Sequence, residues 1–175
     1  MEIFQADIND IPGILEVADA TWKQTYAGII SPEQINYMYS TMYTYDRQKE
    51  QMQHGMIFLI CREGDKTLGF TAYKYISEES ANPDGRSIQV IYVPKLYIKP
   101  EAQRKGIGKK FLSEIERIGG ENNCHFVELN VNRNNPALHF YERLGFFVYK
   151  SVDIPIGKFF MNDYVMRKSI QFVAP

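Results

Sequence analysis

The sequence predicts a single α/β (α+β) domain on a mixed sheet, over residues 1–175, and three observations carry that expectation. Its 175 residues fit one domain of ordinary size, with length for a real core and little room for a second. The first half holds β-rich runs joined by turn chemistry. After Ile98 the pattern changes to strand, helix, strand, helix.

Taken in order, Ile3-Phe4-Gln5-Ala6 reads as a short first strand, and Asn9 as the cap of a helix. Ile11, Ile14, Leu15, Ala18 and Trp22 then recur at helical spacing, with Pro12 tolerated in the first turn. Ser31-Pro32-Glu33-Gln34 announces a second helix: Ser31 caps it, Pro32 suits its first position, and Gln34 completes a capping box. Tyr37, Tyr39, Tyr43 and Tyr45 follow as a packed or half-exposed face. Met56 to Cys61 and Leu68 to Ile76 flank Gly64-Asp65-Lys66 and read as a hairpin. Glu78 to Arg86 is polar, contains Asn82-Pro83-Asp84-Gly85, and is expected as a loop.

Ile88 to Ile98 is a further strand with Pro94 inside it. Proline cannot donate to a ladder, so a bulge, a bend or an exposed edge is expected there. Ile107, Phe111, Leu112, Ile115 and Ile118 form an amphipathic stripe closed by Gly119-Gly120. Phe126 to Val131 alternates as a strand. Asn134 or Asn135 caps the next helix, with Pro136 near its start and Gly145 past its end. Phe146 to Tyr149 and Phe159 to Arg167 supply the last strands.

Composition narrows the function. Hydrophobic residues make up 45%, a globular proportion, and the net charge of -1 supplies no global field for nucleic acid or an anionic membrane. Cys61 and Cys124 sit in apolar stretches and read as buried free thiols of a reducing compartment. No apolar run approaches the ~18 residues of a membrane span, and the start lacks a basic signal region. The expected location is the cytoplasm. His54, His125 and His139 have no metal-site spacing, so no metal is expected.

The most informative stretch is Leu96-Tyr97-Ile98-Lys99-Pro100-Glu101-Ala102-Gln103-Arg104-Lys105-Gly106-Ile107-Gly108-Lys109. A strand ends, and glycines stand at the mouth of an amphipathic helix. Free backbone N–H groups and the helix dipole favour a phosphate there. Gly106 and Gly108 allow close approach, and Arg104, Lys105 and Lys109 add positive charge. The ending of a P-loop and the third glycine of a dinucleotide fingerprint are both missing.

A second constellation, Asn134-Asn135-Pro136-Ala137-Leu138-His139-Phe140-Tyr141-Glu142-Arg143-Leu144-Gly145-Phe146, follows a strand and opens a helix. Together the two stretches resemble the GNAT superfamily of acetyl-CoA-dependent N-acetyltransferases. The match covers residues 96–149, and element order extends it along the chain. The resemblance implies a mostly antiparallel mixed sheet, splayed at its centre, with helices on both faces. It implies acetyl-CoA as cosubstrate, with Leu96, Tyr97 and Ile98 along the pantetheine arm and Gln103, Arg104, Lys105, Gly106, Ile107, Gly108 and Lys109 around the pyrophosphate. Asn134 would bind the arm, and Tyr141 would protonate the leaving thiolate.

Acetyl transfer to an amine requires deprotonating a group of pKa ~10.4. Many relatives carry a Glu two residues before the position of Leu96, where this chain has Pro94. Glu128, Tyr92 or a chain of water molecules are the remaining candidates. Trp22 and Tyr26 are expected to wall an amine site, since aromatic faces attract cations. The Thr21–Ile29 segment and Met161–Met166 resemble, more loosely, the diamine and spermidine acetyltransferase branch. The expected partner is therefore a small amine such as a polyamine, on a monomer or homodimer. A protein N-terminus or lysine as acceptor, and a CoA-binding regulatory module without catalysis, are the competing expectations.

Overall fold

The computed structural model describes residues 1–79 and 87–171. Seven strands form one sheet in the order β1-β2-β3-β4-β5-β7-β6. They are β1 (Glu2–Gln5), β2 (Ile57–Glu63), β3 (Lys66–Glu78), β4 (Ile88–Ile98), β5 (Phe126–Asn132), β6 (Phe147–Ile156) and β7 (Phe159–Ser169). Only β4 and β5 run parallel among these neighbours; the other pairs are antiparallel. The mixed, mostly antiparallel sheet is as expected. Most of the anticipated loop at 78–86 lies outside the described residues.

Strand alternation explains why both faces carry helices. In β2, Phe58 and Ile60 join Phe70 of β3 on one face, while Leu59 and Cys61 point to the other. The first face packs α1 (Ile11–Tyr26) and α2 (Pro32–Met42) through Ile14, Val17, Trp22, Ile35 and Met38. The second packs α4 (Ile107–Glu121) and α5 (Ala137–Arg143) through Phe111, Leu112, Ile115 and Tyr141, α3 (Tyr45–Gln53) having intervened in sequence. Each large apolar side chain buried this way contributes roughly 1.5–3 kcal/mol. Cys61 and Cys124 are buried free thiols.

Several local expectations change. Asp7, not Asn9, caps the N-terminal turn: its carboxylate accepts from Asn9 N at 2.7 Å, and Asp10 accepts from Asp7 N at 2.9 Å. Ser31 caps α2 as expected, accepting from Gln34 N at 3.1 Å. The Gln34 amide does not return to Ser31; it donates to Phe160 O at 2.8 Å and ties α2 to β7. Helix α3 went unexpected because its Tyr-Asp-Arg-Gln-Lys-Glu-Gln-Met-Gln run offers no apolar stripe; Gln48 is its buried residue, and Thr44 caps it. Helix α4 continues through Gly119-Gly120 and ends at Asn122, followed by Asn123 at φ 57°. At α5 the cap position is Pro136, not Asn134 or Asn135; Asn135 forms the turn before it, its side chain accepting from Ala137 N at 2.9 Å.

Pro94 has the consequence that matters most. Ala72 pairs with Lys95 and Lys74 with Tyr92, so two β4 residues, Val93 and Pro94, stand opposite Tyr73. That is a bulge. On the other side of β4, the ladder with β5 runs from Val90↔Phe126 to Val93↔Leu129 and stops. Beyond it β4 follows β3 alone, and the sheet opens between β4 and β5.

Candidate active site

That opening is part of a cavity of about 730 Å³. One end is the start of α4. Gly106 is its N-cap at φ 80°, a left-handed conformation glycine adopts without a Cβ penalty, and no side chain caps the helix. The first helical bond found there is Lys110 N to Gly106 O at 3.0 Å, so the preceding turn of N–H groups faces the cavity mouth. Arg104 precedes this turn at φ 62° and lines the cavity with Lys109; Lys105 is exposed and is not among the lining residues. Gly108 lines the cavity and also serves packing. A Cβ there would meet Phe140 Cζ at 3.1 Å and Ile98 Cδ1 at 3.3 Å, so its bareness lets α4 sit against α5 and β4.

The middle of the cavity lies between the splayed strands. Leu96, Tyr97 and Ile98 line it from β4, and Gln103 folds back to donate to Ile98 O at 3.1 Å. Tyr141 reaches it from α5. Its ring is set edge-on to Phe146 (centroids 5.8 Å apart) and burial pushes the phenol up to about 12. Tyr141 is therefore protonated throughout the physiological range. Asn134 is exposed and stands outside the lining, its N–H held by Asn132 Oδ1 at 3.0 Å; Asn132 and Asn135 line the cavity instead.

The far end is covered by α1. Tyr26 lines the cavity and sets its hydroxyl 3.4 Å from that of Tyr97, burial raising both phenols well above their ordinary range. Trp22 does not wall the cavity. It is 2% exposed, its indole N–H is donated to Ile35 O at 3.2 Å, and its ring backs Tyr26 at 4.4 Å. Its role is to position, because the α1 periodicity that makes it apolar-facing also drives it into the core.

Neither sequence candidate for the base lines this cavity. Glu128 accepts from Arg167 Nε at 2.7 Å, and the same guanidinium bonds the half-buried Glu78, which makes an ion triad around a buried arginine. Tyr92 is pushed up to about 12 by burial. A residue the sequence reasoning missed is Asp163 of β7. It lines the cavity, is 7% exposed, and its Oδ1 is buried without a hydrogen-bond partner. Burial pushes its carboxyl up to about 6, against the pull of Arg133, Asn132 and Asn130. The alternation Met161, Asp163, Val165 of a half-buried strand was legible; an acid at an inward position of such a strand was the available signal.

Comparisons with known proteins agree with this geometry. The model of the acetyltransferase (GNAT) family matches residues 17–146. The spermidine N(1)-acetyltransferase of Thermoplasma acidophilum is 30% identical over 177 residues, covering 98% of both chains. A spermine/spermidine N(1)-acetyltransferase of Bacillus subtilis is 30% identical over 120 residues, covering 67% of this chain and 75% of that protein. The crystal structure of the PaiA N-acetyltransferase from Thermoplasma acidophilum in complex with coenzyme A superposes with a TM-score of 0.77 at 29% identity, covering 96% of this chain and 98% of that one. The splayed sheet, the open helix mouth and the family match converge: the chain belongs to the GNAT acetyltransferase family and is an acetyl-CoA-dependent N-acetyltransferase.

Proposed function

We propose that the enzyme moves the acetyl group of acetyl-CoA to a primary amine of a small polyamine-like molecule, by direct attack, with Tyr141 as the general acid. The observation that carries this reading is the continuity of one cavity from the uncapped mouth of α4, through the β4–β5 opening, to Tyr141 and Tyr26. Backbone N–H groups at Gly106–Lys109, with Gln103, Arg104 and Lys105 beside them, suit the pyrophosphate. Leu96, Tyr97 and Ile98 suit the pantetheine arm, laid along β4 as an added strand where β5 has left. Asn132 and Asn135 border the arm's path, with Asn134 outside the lining.

The thioester carbonyl then lies in the splay, where a β4 backbone N–H can polarise it. The amine nitrogen attacks the carbonyl carbon, the C–S bond breaks, and the thiolate takes the Tyr141 proton. A phenol near 12 is a weak acid toward a thiolate in water. The same burial that raises the phenol also raises the proton affinity of a thiolate beside it, which brings the two closer. The tyrosinate recovers its proton from the nascent amide nitrogen.

A polyamine is favoured over other amines by the identity of relatives matched along most of their length, which act on spermidine and spermine. Free thiol release with a panel of spermidine, spermine, an amino sugar and peptides with free N-termini tests the reading, together with mass analysis of the products. Spermidine or spermine as the fastest acceptor is the expected result. Preference for a peptide N-terminus by about tenfold or more would replace it with protein acetylation.

A further inference from the structure

The cavity is electrically divided. Its basic side chains include Arg104 and Lys109 at the donor end and Arg143 on α5. Among the described residues that line it, Asp163 alone is a carboxylate. It stands on β7 opposite Asn132 of β5 and Val152 of β6, in the face of the sheet that looks toward α1.

The groups facing Asp163 leave its Oδ1 without a hydrogen-bond partner. Asn130 and Asn132 come from β5, Tyr92 from β4, Tyr26 from α1, and Arg133 from the segment after β5. Arg133 commits one terminal nitrogen to Asp153 at 2.8 Å and to Val152 O at 3.2 Å, its Nε is buried without a partner, and its charge acts on Asp163 without a hydrogen bond between them. The Tyr26 and Tyr97 hydroxyls face each other. An acid more than nine-tenths buried, with one carboxylate oxygen unpartnered, on the lining of a cavity that holds no other described acid is placed to receive a cation from that cavity.

We propose that Asp163 is the acceptor-site carboxylate: it holds the ammonium group of a cationic primary amine and takes one proton from it before attack. This rests on the amine-acetylating function proposed above and supplies the base that Pro94 leaves absent. The proton passes from the ammonium nitrogen to the Asp163 carboxylate, and the neutral nitrogen's lone pair forms the C–N bond as C–S breaks. The carboxyl then releases its proton to solvent, so that ammonium and thioester become amide, thiol and one proton. The raised carboxyl suits the task, since a carboxylate near 6 is a better proton acceptor than one near 4. Tyr26 lines the same cavity, and an aromatic ring beside a carboxylate suits a cation.

The test is Asp163→Asn, assayed with spermidine and acetyl-CoA. We expect acetyl-CoA affinity to stay within about twofold and kcat/KM for the amine to fall about 100-fold. The variant should melt no lower than the parent, because an unpaired buried charge has been removed. Asp163→Glu should recover part of the loss. In the unmodified enzyme, kcat/KM should fall as the pH drops below about 6. Free spermidine is fully protonated over that range, so this limb reports the enzyme. Activity of Asp163→Asn within about threefold of the parent, or a profile flat down to pH about 5, would overturn the assignment. Absence of turnover by the unmodified enzyme with every amine is a separate result and would overturn the function itself.

Discussion

Val93 is the last residue of β4 to pair with β5, opposite Leu129, and the next residue in the chain is Pro94. A parallel ladder that stops in mid-sheet leaves backbone groups facing an opening instead of a neighbour. An extended ligand can occupy that edge as a strand would. Amide hydrogen exchange over residues 95–98 should therefore slow on addition of acetyl-CoA, while β2 stays unchanged. Unaltered exchange in 95–98 at saturating acetyl-CoA would place the arm elsewhere.

Tyr141 is the side chain whose loss should separate chemistry from binding. Tyr141→Phe is expected to lower kcat about 10- to 100-fold and to leave acetyl-CoA affinity within about twofold. Because the phenol titrates only near 12, the rate should show no alkaline decline owed to it below pH about 10. Equal kcat in the two enzymes would remove Tyr141 from the mechanism.

The two glycines at the mouth of α4 should fail differently. Gly106→Ala meets no neighbour but must hold a side chain at φ 80°, so a loss of about 1 kcal/mol in stability is expected. Gly108→Val pushes against Phe140 and Ile98, which should cost about 1–3 kcal/mol and weaken acetyl-CoA binding as β4 shifts. Thermal melts with and without acetyl-CoA distinguish the cases; equal ligand-induced shifts in both variants would contradict the packing role of Gly108.

Lys95 carries a pH dependence of stability. Its ammonium is buried beneath α3, donating to Gln48 Oε1 at 2.7 Å and Gln51 Oε1 at 2.6 Å, over the rings of Tyr43 and Phe58. Burial, then the nearby Arg47 charge, lower it to about 7. Its unfolded value is ~10.4. Below about 7 both states hold the proton and the cost of burying the cation is full. Between that value and ~10.4 the unfolded chain binds the extra proton, so stability rises with pH, by about 2 kcal/mol from pH 7 to 9. Urea titrations should show that slope in the parent and its loss in Lys95→Met. A flat parent would mean that the lysine titrates as an ordinary surface group.

Legibility followed the range of the interactions. The cap at Ser31, the hairpin around Gly64-Asp65 and the amphipathic α4 were readable because each is decided within a turn or two of chain. Helix α3 escaped because its burial rests on Gln48 holding Met42 O and Lys95, partners no periodicity announces. Trp22 was legible as an important aromatic, but not as one whose indole is spent inside the core.

The proposed donor half of the site was legible in the sequence alone. A helix mouth suited to an anion and a proline that interrupts a ladder are local geometries, written in the contiguous run from Pro94 to Lys109 and in the segment that carries Tyr141. The acceptor half was decided by tertiary structure. Strand β7 inserts between β5 and β6, which sets Arg167 against Glu128 and Asp163 beside Asn132. Of two acids on inward-facing strand positions, one is neutralised by an arginine and the other is left with an unpartnered oxygen. Which is which depends on register between distant strands, and the period-2 pattern of each strand carries no record of its partner.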